Sequence, residues 1–211
     1  SVNASNLCGF NDWRLPTVHE LLTLIDHGKS TNPRIDTEWI AADTSLGQGY
    51  QWSSEIGNPL IAASTTHAFA VSFNKFDDES GEGFAGATIS MGRGVLAYAK
   101  LVRGGNARAA PRFSYSSVAY GGDAANNLVY DAWTGLQWRR CPQGATWNGS
   151  ACTGEAAYLT HEQALVFARQ QTGWRLPNVT EIGSLYDRST NLSTGWYLNR
   201  AAFPQIHVDG L

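Results

Sequence analysis

The side chains best suited to acid–base chemistry in this 211-residue chain are not spaced for it. The sequence has no His-Glu-x-x-His metal pair, no Gly-x-Ser-x-Gly nucleophile turn and no phosphate-binding loop. Its five histidines stand singly, at positions 19, 27, 67, 161 and 207. We therefore expect a protein that is not an enzyme and has no catalytic residues.

A run of glycines and acids between residues 74 and 94 predicts a long exposed loop. Carboxylates in such a loop supply the hard oxygen ligands that suit Ca²⁺, but the spacing of an EF-hand is absent. The favoured interpretation is a solvated acidic loop. The alternative is a calcium site, and its candidate ligands are Asp77, Asp78, Glu79 and Glu82.

An aromatic residue beside two hydroxyls, Trp52-Ser53-Ser54, suits sugar binding. A ring face stacks on pyranose C–H groups, and hydroxyls exchange hydrogen bonds with the sugar. We take these three residues and His67 as candidate ligand-binding side chains. The competing interpretation is a core tryptophan with serines at a strand edge.

Two of the three cysteines, Cys141 and Cys152, enclose a turn-rich decapeptide without histidines. That arrangement predicts a disulfide rather than a zinc site. A disulfide indicates an oxidising compartment, either the periplasm or the cell exterior. Cys8 is left over, and it is either paired outside this sequence or a buried free thiol.

One block of sequence occurs twice. DWRLPTVHEL at residues 12–21 returns as GWRLPNVTEI at residues 173–182. We interpret its shared residues as structural: Pro fixes the backbone at a helix start, Trp and Leu fill a core, and Arg bonds nearby carbonyls. These residues are Trp13, Arg14, Leu15, Pro16 and Glu20 in the first copy, and Trp174, Arg175, Leu176, Pro177 and Glu181 in the second.

The repeat predicts a helix in each copy. Thr17 and Asn178 are suited to cap these helices, with Glu20 and Glu181 three residues on as in a capping box. In the second helix we expect three apolar residues to face inward: Val179, Ile182 and Leu185. A third helix is predicted after Thr160. Alternation predicts strands at residues 68–73, 95–102, 128–131 and 134–138.

The two copies stand at opposite ends of the chain, so the repeats are incomplete. Residues 1–105 read as the rear of a first repeat, 106–127 as a linker rich in Gly, Ala and Ser, and 128–211 as the front of a second. Two explanations are open. The sequence is a fragment of a longer protein, or the two halves complete one fold, within a chain or between chains.

Taken together, these motifs resemble the Lcl C-terminal domain family, named for a bacterial collagen-like adhesin. The resemblance rests on Val129-Tyr130-Asp131, Thr134-Gly135-Leu136-Gln137-Trp138, the two Trp-Arg-Leu-Pro motifs, Trp52-Ser53-Ser54 and Leu101-Val102-Arg103-Gly104-Gly105. It implies an α+β, C-type-lectin-like fold, similar also to sulfatase-modifying factors, with a twisted, mainly antiparallel sheet, short flanking helices and long loops. It also implies bacterial surface display and adhesion, with host or matrix glycans as ligands.

Composition narrows the function classes. With 43% hydrophobic residues and a formal charge of −3, the chain is expected to fold and not to bind nucleic acid. No apolar run is long enough for a transmembrane segment. We expect an extracellular, surface or periplasmic location. The sequence favours an adhesion or glycan-binding module; the alternative is a self-associating subunit of a surface filament, in which neighbouring chains complete the fold.

Overall fold

The structure, a computed structural model, describes residues 1–40, 49–56, 66–74, 88–105, 111–124, 126–186 and 198–204. These residues fall into two compact units, one ending at Gly105 and the other formed by the residues after it. Short helices accompany small antiparallel sheets in the described ranges. The predicted α+β class is confirmed, and the C-type-lectin-like arrangement stays a prediction.

The first unit places one helix on one sheet. Helix α1 (Val18–Leu22) follows a 3₁₀ turn (Leu7–Gly9), and strands β1 (Tyr50–Ile56), β2 (His67–Ser72) and β3 (Thr88–Gly92) form an antiparallel sheet in the order β1-β2-β3. The helix packs against β1 and β2. Its buried residues Val18 and Leu21 join apolar side chains of and beside β2 in one core: Phe69, Val71 and Phe73.

The second unit has two small sheets and two helices in its described part. Strands β4 (Phe113–Tyr115), β5 (Leu128–Asp131) and β6 (Leu136–Arg139) form an antiparallel sheet in that order, and β7 (Thr146–Trp147) pairs with β8 (Cys152–Thr153). Helices α2 (His161–Arg169) and α3 (Val179–Ser184) follow. A small core joins β5 to α3 and the segment at 198–204; its buried members are Val129, Leu185, Ala202 and Phe203.

Local sequence signals account for the helix starts. The predicted capping boxes are present at α1 with Thr17 and Glu20, and at α3 with Asn178 and Glu181. Helix α2 has a third, with Thr160 as cap. In each box, the cap side chain accepts a hydrogen bond from the backbone N–H of the residue three positions on. The side chain of that residue accepts one from the backbone N–H of the cap. Two donors that the first turn leaves unpaired are thereby satisfied.

The cysteines are arranged as predicted in one respect and not in another. Cys141 and Cys152 form a disulfide with an Sγ–Sγ distance of 2.04 Å. The bond ties the end of the β6 region to β8. Cys8 is free and exposed, so the expectation of a buried thiol is wrong.

Three other expectations need correction. The predicted strand at 95–102 forms only isolated bridges, at Tyr98 and Val102. The predicted loop at 74–94 contains β3, and the predicted linker contains β4, which pairs with β5. In the linker, frequent small residues obscured a short strand anchored by Phe113, whose ring meets that of Phe203 edge-on at 5.6 Å.

A buried ion pair connects β4, β5 and α3. The Arg112 guanidinium donates to both carboxylate oxygens of Asp131, at 2.9 and 2.6 Å, and to the Ser184 carbonyl at 2.8 Å. Burial raises the pKa of the Asp131 carboxyl, but the hydrogen bonds and charge of Arg112 outweigh it, so the pKa is lowered overall. Asp131 is therefore a buried carboxylate whose charge is stabilised chiefly by Arg112, with a further bond of 3.0 Å from the Trp133 N–H.

Arg112→Ala should destabilise the protein by about 3 to 5 kcal/mol, because it leaves the Asp131 charge buried and unpaired. The control is Arg103→Ala, which removes an exposed pair with Asp12 and should cost far less stability, because solvent screens that pair. Urea denaturation followed by tryptophan fluorescence measures both. Equal losses for the two variants would contradict a buried pair.

Candidate functional site

The first Arg-Leu-Pro motif is organised by a clamp between Arg14 and Glu20. The Arg14 Nη1 and Nη2 atoms donate to the two Glu20 carboxylate oxygens at 2.8 and 2.6 Å. One of those oxygens also accepts from the Thr17 backbone N–H at 2.7 Å. The carboxylate thus completes the capping box and binds the arginine at once. The sequence signal for this pair is a glutamate six residues after the arginine, which both copies share.

The same motif is covered by the rear of its repeat. The Arg14 and Val102 backbones exchange two hydrogen bonds of 2.9 Å, and the Gly104 carbonyl accepts from Arg14 Nη2 at 3.1 Å. Gly104 has φ +71°, a conformation that glycine adopts readily. From β1, the Ser54 N–H donates to the Pro16 carbonyl at 2.7 Å. The first motif is therefore hydrogen-bonded both to the segment 102–104 and to strand β1.

The clamp shifts the acid–base behaviour of Glu20. Its pKa falls from 4.5 to about 2, chiefly because the Arg14 guanidinium bonds to the charged form, with a further contribution from the Thr17 N–H. Burial opposes this shift. The Glu20 carboxylate is consequently held ionised and serves as an acceptor, which does not suit a proton donor near neutral pH.

The second motif builds the same clamp. Arg175 donates to both oxygens of Glu181, one of which accepts from the Asn178 N–H at 2.8 Å. Arg175 Nη1 also reaches the Leu176 carbonyl at 3.1 Å, as Arg14 reaches that of Leu15 at 3.3 Å. The repeated sequence therefore gives a repeated local geometry.

The surroundings of the second clamp differ. Val179 is 59% exposed and Ile182 49%, whereas their first-copy counterparts, Val18 and Leu21, are fully buried. The expectation that Val179 and Ile182 face a core is wrong; only Leu185 of the three is buried. In the described part of the chain, Arg175 has no backbone partner equivalent to Val102 and no carbonyl equivalent to that of Gly104.

The repeated tryptophans are also less alike than predicted. Trp13 is half-buried, and its indole N–H donates to the Leu7 carbonyl at 3.0 Å. Trp174 is half-buried too, with the Arg139 guanidinium 4.8 Å from its ring centre and the Tyr120 ring edge-on. Each ring thus packs in its own environment.

The candidate sugar-binding residues do not converge. Ser53 is only 3% exposed, and its hydroxyl donates to the Phe69 carbonyl at 2.8 Å, so it stabilises the sheet. Trp52 lies opposite Ala70 in the antiparallel register, which puts it on that residue's face of the sheet. Because side chains alternate along β2, His67 lies on the other face. Trp52 and Ser54 stay candidates, but not in one site with His67.

The predicted calcium ligands Asp77, Asp78, Glu79 and Glu82 lie outside the described residues. Within the described ranges, no three His, Cys, Asp or Glu side chains come close enough together to hold a metal ion. The calcium interpretation therefore stays a prediction.

Arg140 is a buried arginine that sequence reasoning did not identify. It is 8% exposed, and its guanidinium lies 3.6 Å from the ring centre of Trp147 and 4.4 Å from that of Tyr115. It donates to the carbonyls of Ala201 and Ala202. Burial lowers its pKa. The contacts show a structural arginine that holds the segment at 198–204 against the disulfide-bonded part of the unit.

A family model for the Lcl C-terminal domain matches residues 1–92 and 127–210, as two partial copies. The chain belongs to this family. The matched segments contain both clamps, both candidate sugar-binding strands and the disulfide. Membership, together with the disulfide, indicates a bacterial surface-associated domain.

Other comparisons add no relative. Neither a curated protein nor a solved structure matches this Lcl C-terminal domain protein. Its described helices are all too short or too polar to cross a membrane.

The first clamp of this Lcl C-terminal domain protein should make stability fall at acid pH. Above about pH 4.5, Glu20 is ionised in both the folded and the unfolded protein, and its bonds to Arg14 stabilise the fold. Between pH 4.5 and 2, Glu20 takes up a proton in the unfolded chain but not in the folded one. This stabilisation is therefore lost as the pH falls through that range. Glu20→Gln should lower the melting temperature at pH 7 by about 2 to 4 °C, after discounting for solvent screening.

Melting curves from pH 7 to pH 2 measure this effect. The gap between the parent protein and Glu20→Gln should close as the pH falls. A constant gap would show that the lowered pKa of Glu20 does not contribute to stability.

Proposed function

We propose that this protein is a non-catalytic adhesion module of the bacterial surface that binds glycans through exposed aromatic side chains. The observation that carries the proposal is the exposure of Trp39 and Tyr158, at 84% and 96%. An exposed ring offers the flat apolar face on which a sugar stacks. Surface association, which the family membership indicates, gives such rings access to external ligands.

The use of the charged side chains supports a non-catalytic role. Within the described residues, five arginines pair with carboxylates. The pairs at Glu20 and Glu181 close helix starts, and the Arg112–Asp131 pair joins β5 to the end of α3. Glu20 and Asp131 have lowered pKa values, which favour a permanently ionised acceptor over a proton donor. These charged residues stabilise the fold, and we assign ligand binding to other, exposed side chains.

Trp39→Ala and Tyr158→Ala should each weaken glycan binding by about fivefold or more, corresponding to about 1 kcal/mol. The matched control is Val118→Ala, which truncates an exposed side chain without a ring. A glycan array screens for ligands, and calorimetry on the best one compares the variants. Unchanged affinity in both ring variants, or no glycan bound by the parent, would refute the proposal.

Assembly is a second candidate function, favoured by the difference between the two motifs. In the first motif Arg14 pairs with Val102, and Val18 and Leu21 of α1 are fully buried; in the second, Val179 and Ile182 of α3 are exposed, and no described backbone group bonds to the backbone of Arg175. Unpaired strand edges and apolar faces are surfaces on which protein chains associate. We propose that neighbouring chains cover this region in a surface assembly.

Light scattering of the non-reduced protein tests assembly. We expect a particle mass above the 22.9 kDa of one chain, rising with protein concentration. The measurement is repeated with Ca²⁺ and with a chelator, and a change on chelation would indicate that metal binding controls association. A constant mass of one chain at every concentration would contradict self-assembly.

A further inference from the structure

We infer that Asn148 is a site of covalent self-modification, at which the backbone nitrogen of Gly149 displaces the side-chain nitrogen as ammonia and water then leaves an aspartyl residue. The site is the turn of residues 148–151 between β7 and β8, here called the Asn-Gly turn. The inference is independent of the proposed adhesion and assembly functions. It assigns to this turn a slow reaction whose co-reactant is water.

Sequence and exposure make the Asn-Gly turn accessible to this reaction. Asn148 is the only asparagine of the chain that a glycine follows. Glycine has no side chain to obstruct the approach of its nitrogen to the preceding carboxamide. Asn148, Gly149 and Ser150 are all exposed, so water reaches the reacting atoms. Within the described residues, the Gly149 N–H has no hydrogen-bond partner, so its proton can be lost to hydroxide.

Three donors converge on the side-chain oxygen of Asn148. The backbone N–H groups of Ser150 and Ala151 donate to Oδ1 at 3.0 and 2.9 Å, and the Ser150 hydroxyl donates to it at 3.1 Å. Negative charge develops on this oxygen when a nucleophile adds to Cγ, and donors at about 2.7 to 3.1 Å stabilise such an oxyanion. Because hydrogen bonds to a charged oxygen are the stronger ones, the intermediate gains more from these donors than the amide does.

The hairpin holds the Asn-Gly turn in this shape. The Asn148 N–H donates to the Ala151 carbonyl at 3.0 Å, and Trp147 pairs with Cys152 in the strands just outside the turn. The disulfide ties Cys152 to the part of the unit that precedes the hairpin. Gly149 has φ +103°, which glycine adopts readily. The attacking nitrogen and the carboxamide belong to adjacent residues of this held turn, so ring closure needs little further ordering.

The reaction has two balanced steps. The Gly149 nitrogen, having lost its proton to hydroxide, bonds to Asn148 Cγ; the Cγ–Nδ2 bond breaks, and Nδ2 leaves as ammonia with a proton from water. Water then opens the resulting succinimide ring at one of its C–N bonds. Cleavage at Cγ gives aspartate, whereas cleavage at the backbone carbonyl carbon gives isoaspartate. In total the side-chain amide is hydrolysed to a carboxylate and ammonia, and nothing is oxidised or reduced.

Either product changes the hairpin. Both products add a negative charge at an exposed position, and isoaspartate also adds a carbon to the main chain between β7 and β8. A main chain lengthened there no longer matches the bond between the Asn148 N–H and the Ala151 carbonyl. Older copies of the protein therefore differ from new ones in the charge and shape of this turn.

The experiment measures loss of the Asn148 amide in the intact, non-reduced protein held at mildly alkaline pH. Mass spectrometry of proteolytic peptides shows amide-to-acid conversion at each asparagine, and released ammonia is measured in parallel. We expect Asn148 to convert at least about tenfold faster than Asn178, a difference of about 1.4 kcal/mol in activation free energy. Asn178 is the matched comparison, because its side-chain oxygen also accepts a backbone N–H but the β-branched Val179 follows it.

Two variants that each lose a hydroxyl test the part played by the turn. Ser150→Ala removes one donor to the Asn148 oxygen and should slow conversion by about fivefold. Thr153→Ala removes a hydroxyl of the same hairpin that bonds to the Thr146 carbonyl instead, and should leave the rate unchanged. Melting curves check that both variants are folded. In urea, where the turn is lost, the parent and Ser150→Ala should convert at the same rate.

Three outcomes would overturn the inference. The first is an Asn148 that converts no faster than Asn178. The second is an equal rate for the parent and Ser150→Ala in the folded protein, since the donors would then not assist the reaction. The third is faster conversion in urea than in the folded protein, because the turn would then protect the amide. None of these measurements uses glycan binding or particle mass, so failure of either proposed function leaves them unaffected.

Discussion

The pairing of Arg14 with Glu20 is the contact on which the first unit depends. One carboxylate accepts from both the guanidinium and the Thr17 N–H, so the extended segment before α1 and the first turn of the helix are held together. The Arg14 backbone then pairs with Val102, and its side chain reaches the Gly104 carbonyl. Arg14 thereby joins the start of α1 to the bridge at Val102 and the loop at Gly104. The apolar residues of α1 pack against the sheet beside this contact.

The second motif separates what is local in this arrangement from what is not. Its clamp is complete, although Val179 and Ile182 are exposed. The clamp is therefore a property of the repeated sequence, whereas burial is a property of what lies against it. The second unit obtains cohesion elsewhere, from the buried Arg112–Asp131 pair, from Arg140 against Trp147 and Tyr115, and from the disulfide.

The features that the sequence predicted are those set by neighbouring residues. The helix starts could be predicted because each cap and its partner are only three residues apart, Thr17 with Glu20 and Asn178 with Glu181. Helical periodicity shows which face of α3 is apolar, but not whether anything covers it, so the burial of Val179 was overestimated. Strand register decides that Trp52 and His67 lie on opposite faces, and alternation within each strand cannot fix that register. Arg112 and Asp131 are 19 residues apart without a local pattern.

The short span of the clamp has a consequence for the order of folding. Arg14 is six residues from Glu20 but 90 from Gly104, and at about 5 to 20 residues per second the ribosome needs about 4 to 17 s to add the residues between them. Closing so small a loop is fast, so the motif can take its shape on the nascent chain well before its strand exists. Until the sheet is synthesised, the first motif would have its clamp formed but its backbone unpaired, which is the state of the second motif in the folded protein.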